Sequence, residues 1–256
     1  MFRKRKVDRR NIKMVLAYDG TQYHGWQWQK NALSIQAIVE EKIQTLTREH
    51  VTVIASGRTD AGVHALHQVC HFLTHSDMDP ESIRKGLNSL LPEDILVRHA
   101  EQAPLDFHAR YSVKSKTYEY RLLNREQPDL FLRDYAWHMP RKLDMARMEA
   151  CLSLLRGRHD FSSFKSARSD NLNPVREMTR AELHDSPDSG LIRFVFEAGG
   201  FLRHMVRNMV GTVVEVGSGR ISPEEFEEIL GAKDRKKAGL NAPSRGLFLT
   251  MVRYDE

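Results

Sequence analysis

The stretch "VTVIASGRTDAGVHALHQVCHFLT" (Val51–Thr74) decides how this chain is read. "VTVIAS" is rich in β-branched residues and favours a strand, and "LHQVCHFLT" favours a second, so "GRTDAG" becomes a connection between strands. Gly62 supplies the permissive backbone that a tight turn needs, and aspartate tolerates turn geometry. Taken alone, Asp60 is a turn residue. The strand reading also bears on the histidines. On a helix, His64, His67, His71 and His75 would share a stripe and, with Cys70, resemble a metal-binding cluster. On a strand, His67, His71 and His75 lie successively ~13 Å apart. One zinc ion with bonds of ~2 Å cannot collect them. No metal is therefore expected, and a metal-dependent enzyme built on this cluster stands only as an alternative.

Upstream, "KMVLAYDG" reads as a strand ending in a turn. "SIQAIVEEKIQTL" then places Ile35, Ile38, Val39, Ile43 and Leu46 on one helical face behind a Ser34 cap. Downstream, "DPESIRKGLNSLL" predicts a helix with Asp79 as cap and Pro80 in its first turn, and "ILVRHAE" a strand. From "KTYEYRLL" the order begins again, with strands at about 116–123 and 133–138, a helix "LDMARMEACLSLL", and strands at "VREMTRAELH" and "LIRFVFEA". "FLRHMVRNMVGTVVEV" predicts an amphipathic helix with Leu202, Met205, Val206, Met209, Val210 and Val213 on one face, and Arg203 and Arg207 on another. "GSGR" at 217–220 is its stop, "PEEFEEIL" a short helix, and "GLFLTMVRY" a closing strand. The expected organisation is α+β: a basic arm at 1–11, an N-terminal domain at 12–110 carrying the Asp60 loop, and a C-terminal domain at 111–256.

At 256 residues the chain can bury one large core or two smaller ones. Its 41% hydrophobic and 29% charged content fits a soluble protein, and no apolar run approaches the ~20 residues of a membrane span. Cys70 and Cys151 form no CxxC pair, which argues against a disulfide framework or zinc ribbon and for a reducing compartment. "MFRKRKVDRR" has no apolar stretch after its basic residues, so the expected location is the cytoplasm. Its six basic side chains against Asp8 account for the whole net charge of +5. The arm thus suggests phosphate contact, and any nucleic-acid site in the neutral body must come from local arrangement of charge. Nucleotide loops of the P-loop or Gly-x-Gly-x-x-Gly kind are absent, as is a Gly-x-Ser-x-Gly elbow.

Five segments together carry a family resemblance. "GRTDAGVHA" resembles the catalytic-aspartate motif of the TruA-type tRNA pseudouridine synthases. "YDGTQYHGWQWQ" resembles their N-terminal signature, "FHARYSVKSKTYEYRL" their central one, "FLRHMVRNMVG" their C-terminal helix and "APSRGLFL" their last strand. The segments stand in family order over nearly the whole chain.

This resemblance implies two ferredoxin-like halves with mainly antiparallel sheets, joined across a central RNA-binding cleft. It further implies a homodimer acting on tRNA, at uridines 38, 39 and 40 of the anticodon stem-loop, without cofactor or metal. Asp60 occupies the position of the nucleophile, with attack on the ribose and attack on the base ring both open. Arg207 matches the basic partner of the aspartate, which would hold it ionised; its plain reading is a solvated helix face. Tyr118 matches the tyrosine that stacks on the target base, and Leu247 a leucine packing the base pocket. His108 falls within the central motif. Arg58, Arg110, Arg168 and Arg203, with Arg156, Arg158 and Lys165, are candidate RNA contacts. Lys116, Phe248 and His67 depart from the commoner pattern, without removing a catalytic group. A noncatalytic RNA-binding or RNA-folding module is the alternative, opposed by the intact set Asp60, Tyr118 and Arg207.

Overall fold

The computed structural model describes residues 8–166 and 173–255, which fall into two compact units. One comprises Met1–Lys114 with Thr250–Glu256, the other Ser115–Leu249. The chain is α+β and mainly antiparallel, with five α-helices among the described residues. No described helix is long and apolar enough to cross a membrane.

In the first unit the elements are β1 (Arg10–Tyr18), α1 (Ile35–Thr47), β2 (Ile54–Ala55), β3 (His64–Thr74), α2 (Pro80–Leu90) and β4 (Ile95–Ala103). β1 is central, antiparallel to β3 on one side and β4 on the other, and β2 also pairs with β3. Strand side chains alternate between faces, so Ile12, Met14, Leu16 and Tyr18 share one buried row. Both helix starts form as local chemistry dictates. Ser34 Oγ accepts from Ala37 N (3.4 Å) and Asp79 Oδ1 from Ser82 N (3.0 Å), caps each worth ~1 kcal/mol. α2 is tied to β4 by a reciprocal pair in which Asn88 Nδ2 donates to Val97 O (2.9 Å) and Val97 N to Asn88 Oδ1 (2.8 Å).

"VTVIAS" yields only the two residues of β2. Two side chains of α1 take the preceding backbone instead: Glu40 accepts from Val53 N (2.8 Å) and Gln36 donates to Val53 O (3.3 Å). Such bonds compete directly with a strand ladder.

The second unit contains β5 (Val113–Leu123, beginning just before it), β6 (Trp137–His138), α3 (Met145–Leu154), β7 (Gly157–Asp160), β8 (Val175–Ser186), β9 (Leu191–Ala198), α4 (Met205–Gly217) and α5 (Pro223–Ala232). Strands β5, β9, β8 and β7 lie side by side in that order, all antiparallel. β6 is shorter than the 133–138 predicted, because residues 133–136 are still in a turn in which Tyr135 N and Ala136 N both donate to Leu132 O (2.9 Å each). β7 was not predicted; it is an edge strand whose residues are exposed or half-buried.

α4 begins at Met205 rather than near Phe201, because His204 has a left-handed φ of 63°. Every residue of α4 except Arg207 and Glu215 is buried, so it is a core helix and not a surface one. It stops within "GSGR", where Gly219 adopts φ 76°.

The last strand, β10 (Leu247–Tyr254), supplies Leu247–Leu249 to the second unit and Thr250–Tyr254 to the first. Tyr254 packs its ring 5.1 Å from that of Phe107, and its hydroxyl donates to Ala109 O (2.7 Å). The adjacent buried His71 accepts from Ala109 N through Nδ1 (3.1 Å). Burial, aided by nearby His108 and opposed by a backbone bond to Ile54, lowers the His71 pKa from 6.5 to about 4. The unfolded chain therefore takes up this proton near pH 6.5 while the native one resists until about 4. The stability contribution is full above that window and is lost as pH falls through it. The melting temperature should accordingly drop between pH 6.5 and 4, and a His71→Gln variant should show a shallower drop over the same range.

Candidate active site

Asp60 stands at the first position of a turn in which Val63 N donates to Asp60 O (3.2 Å) and Gly62 takes φ 73°, as a type II turn requires. The turn is braced from the loop after β1. Trp26 N donates to Thr59 O (3.1 Å) and Gly62 N to Tyr23 O (3.2 Å), so bonds flank Asp60 on both sides. Two glycines permit this approach. A Cβ on Gly25 (φ 88°) would overlap Thr59 O and lie 3.0 Å from the Asp60 carbonyl carbon, and one on Gly20 would overlap Val63 O. The "YDGTQYHGW" signature thus acquires a physical role: it holds the aspartate turn backbone to backbone.

Beneath the turn runs a buried polar network. Tyr18 OH meets Thr59 Oγ1 (2.9 Å), Gln68 Nε2 donates to Gly57 O (2.9 Å), and Ser56 Oγ donates to Gln68 Oε1 (2.7 Å). Burial pushes the Tyr18 pKa up to about 12, against its hydrogen bonds to Thr59 and Gln68, so the phenol stays neutral. Buried polar groups satisfied in this way rigidify the backbone they hold. His64 belongs to the same scaffold, accepting from Gly20 N through Nδ1 (3.1 Å). The half-buried Asp60 rises from a fixed base, and Arg58 is exposed two residues before it.

The second unit gathers its own set. Tyr118, on β5 opposite Phe196, is 8% exposed and has its ring edge-to-face with Phe201 (5.0 Å, 83°). Tyr120, two residues on, donates its hydroxyl to Pro243 O (2.8 Å). Burial raises the Tyr120 pKa, and the charges of Arg207 and Arg245 oppose that rise.

Arg207 is no solvated helix residue. It is half-buried, its Nε donates to Ala242 O (2.7 Å), and its own carbonyl accepts from Ala242 N (3.1 Å). The segment after α5 is further sewn to α4, with Gly239 N donating to Thr212 Oγ1 (3.0 Å) and Arg235 Nη2 to Asn208 Oδ1 (3.0 Å). It continues through a 3-10 turn, Ser244–Gly246, that delivers the buried Leu247. Sequence reading assigned nothing to Phe201, Tyr120 or Arg245. The "FLRH" and "PSRG" segments containing two of them were the available signal.

The remaining candidates separate. Arg203 is exposed just before α4, and Arg158 is exposed on β7. Arg156 bonds Ala181 O through Nε and Nη2 (3.2 Å each), a structural use of its charge. Arg168 lies outside the described residues. His108 and Arg110 sit in the loop Phe107–Ser112, near His71 rather than near the Asp60 turn. His67 and His71 share β3 with His64, at strand spacing. No group of three or more His, Cys, Asp or Glu among the described residues is placed to hold a metal ion.

A family model described as tRNA pseudouridine synthase matches residues 14–112 and 152–255. Among curated relatives, tRNA pseudouridine synthase A of Thermoanaerobacter sp. (strain X514) is 43% identical over 245 residues, covering 96% of this chain and 100% of the relative. The protein of the same name from Geobacillus kaustophilus (strain HTA426) is 45% identical over 247 residues, covering 96% and 95%. tRNA pseudouridine synthase A 2 of Clostridium perfringens (strain 13 / Type A) is 41% identical over 245 residues. With matches spanning both units and the braced aspartate turn, the chain belongs to the tRNA pseudouridine synthase family, a family of isomerases.

Proposed function

We propose that this protein converts uridine to pseudouridine in tRNA, with Asp60 as the nucleophile. The carrying observation is the Asp60 turn itself, presented half-buried on a backbone bonded from both flanks. In the reaction the N1–C1′ bond of the uridine breaks, the uracil turns, and C5 bonds to C1′. The proton on C5 departs, N1 regains one, and Asp60 is released unchanged. Every bond exchanged belongs to the substrate or is temporary to Asp60, so the step is redox-neutral. A carboxylate is a sufficient covalent catalyst for it.

Tyr118 serves as the stacking partner of the target base. Extruding that base costs a few kcal/mol, and one aromatic stack returns ~1–3 kcal/mol. Phe201, edge-on to the ring, fixes the plane that Tyr118 offers. Arg207 supplies the cation that stabilises charge developing during the exchange, and Leu247 packs the base pocket. Arg58, Arg110, Arg203 and His108 contact the RNA, with Arg168 assigned by resemblance alone.

The further reading is a cytoplasmic homodimer acting on uridines 38, 39 and 40 of the anticodon stem-loop. It is supported by the same resemblance. The succession β-α-β-β-α-β of β1–α1–β2–β3–α2–β4 supports a ferredoxin-like half. So does β5–α3–β8–β9–α4–β10, into which β6, β7 and α5 are inserted.

Incubation with tRNA carrying tritium at uracil C5 tests the proposal. Purified protein should release tritium in step with pseudouridine formed, and sequencing of the product should place it at 38–40. Absence of release would overturn the assignment. Gly25→Ala gives a structural test. At φ 88° the added methyl is strained by ~1–2 kcal/mol and meets the Thr59 carbonyl, so the turn must move. A shift of ~1 Å in a reacting group costs about 10²-fold. Expected are a loss of that order in tritium-release kcat and a lowered melting temperature, with tRNA affinity little altered.

A further inference from the structure

Tyr120 is wholly buried and takes no direct part in the proposed reaction. Alternation along β5 puts it on the same face as Tyr118, opposite Phe194 of β9. Trp137, edge-to-face with it at 6.5 Å and 89°, sets the plane of its ring. The hydroxyl meets Pro243 O at 2.8 Å. A carbonyl can only accept, so the phenol is the donor. Burial, which raises its pKa against the charges of Arg207 and Arg245, keeps the proton in place. Three residues after Pro243 the chain passes against the same ring. A Cβ on Gly246 would lie 2.8 Å from Tyr120 Cζ and 2.9 Å from Cε1. The ring is therefore the surface on which "PSRG" is laid.

The residue before this segment carries the acceptor for Arg207. Arg207 Nε donates to Ala242 O (2.7 Å), the carbonyl immediately preceding the one that Tyr120 holds. The two carbonyls are stiffly linked. The Ala242–Pro243 peptide is planar, and the proline ring locks φ, here −54°. That leaves ψ of Pro243 as the one soft torsion between them. A donor fixed on Pro243 O thus orients Ala242 O, and Ala242 O sets the direction of the guanidinium. Arg245 ties the far side of the segment to the same surroundings, its Nε donating to the carbonyl of Ala136, the neighbour of Trp137 (3.3 Å). A functional group is held precisely when the groups that hold it are themselves locked by packing and hydrogen bonds.

We infer that Tyr120 is a positioning residue for the isomerisation, acting through the Pro243 carbonyl to aim Arg207. This rests on the reading in which Arg207 serves the reaction, and it gives a role to a residue that neither resemblance nor the proposed chemistry assigned.

The test compares tritium release from tRNA by the wild type, Tyr120→Phe, Arg207→Lys and the double variant, with kcat and KM measured separately. Phenylalanine keeps the ring beside Gly246 and Trp137 and removes the donor alone. Tyr120→Phe should lose about 10- to 100-fold in kcat, the scale set by displacing a reacting group by up to ~1 Å. KM for tRNA should be unchanged. In the Arg207→Lys background the same substitution should cost less than about twofold, because the guanidinium it aims is already gone. Replacing Tyr120 with p-aminophenylalanine restores a donor at the same place and should recover most of the lost kcat. With p-methylphenylalanine, which fills the space without donating, kcat should stay low. Wild-type kcat in Tyr120→Phe would overturn the inference, as would an equal fold loss in both Arg207 backgrounds. So would a raised KM at unchanged kcat, which would assign the hydroxyl to RNA binding. If the phenylalanine variant is too poorly folded to assay, the amino- and methyl-substituted pair carries the comparison, and equal kcat in the two would overturn the inference. Wild-type protein that releases no tritium from tRNA would instead remove the isomerase reading, and the inference with it.

Discussion

Asp60→Asn should reduce tritium release from tRNA by at least about four orders of magnitude, the scale of loss seen when a covalent nucleophile is removed. The substitution is nearly isosteric, and the structure explains why the fold should accept it. Asp60 contributes its carbonyl to the turn, an interaction with Val63 N that asparagine keeps. The bonds that brace the turn come from Trp26 to Thr59 and from Gly62 to Tyr23. The backbone of the turn and the affinity for tRNA should therefore stay close to wild type while turnover disappears. A carboxamide cannot form and release the covalent link at a useful rate. If the asparagine variant released tritium as fast as the wild type, the nucleophile would have to be sought elsewhere in the chain.

The second large effect is expected at Arg207. Lysine preserves its charge, but only arginine has a donor at Nε, and that donor is used on Ala242 O at 2.7 Å. The bond fixes the stem of the side chain part-way along its length and sets the direction of the terminal guanidinium. Lysine has no donor at that point and ends in a mobile point charge. Arg207→Lys should lower kcat by about 10²- to 10³-fold, comparable to deleting a preorganised electrostatic contact. It should also lose ~1–3 kcal/mol of stability, because the carbonyl of fully buried Ala242 is deprived of its charged donor. Measuring kcat and thermal unfolding on one preparation separates the two effects. A lysine variant with wild-type kcat would make Arg207 a purely structural residue.

What the sequence disclosed follows the range of the interactions concerned. The starts of α1 and α2 were legible because Ser34 and Asp79 bond backbone three residues away. β2 was overestimated because the groups taking Val53 from the ladder, on Gln36 and Glu40, belong to a different element. α4 was read as amphipathic from an apolar face, Leu202 to Val213, with Arg203 and Arg207 on another. Asn208 and Thr212 are buried in it through partners that no helical periodicity reveals: Asn208 donates to Phe164 O (2.8 Å) and Thr212 Oγ1 receives Gly239 N.

The candidate site shows the same divide. "TDAG" announces a turn, and the turn is present. That the turn is rigid depends on Gly20 and Gly25, some 35 to 40 residues upstream, and on Gln68 beyond it. Motif resemblance could join these distant segments because it compares all of them at once. Phe201 gained meaning only when its ring contact with Tyr118 was visible.

The division of β10 between the two units also sets a timetable for synthesis. About 135 residues separate Lys114 from Thr250, and a ribosome adding ~5–20 residues per second needs roughly 7 to 27 s to make them. For that interval the first unit lacks Tyr254, and with it the ring over Phe107 and the donor to Ala109. The Phe107–Ser112 loop and the end of β3 beside it must wait for nearly the last residues to emerge. A nascent chain stalled before Thr250 would carry the aspartate turn and its bracing glycines while the Phe107–Ser112 loop at the other end of β3 still lacked its final tether.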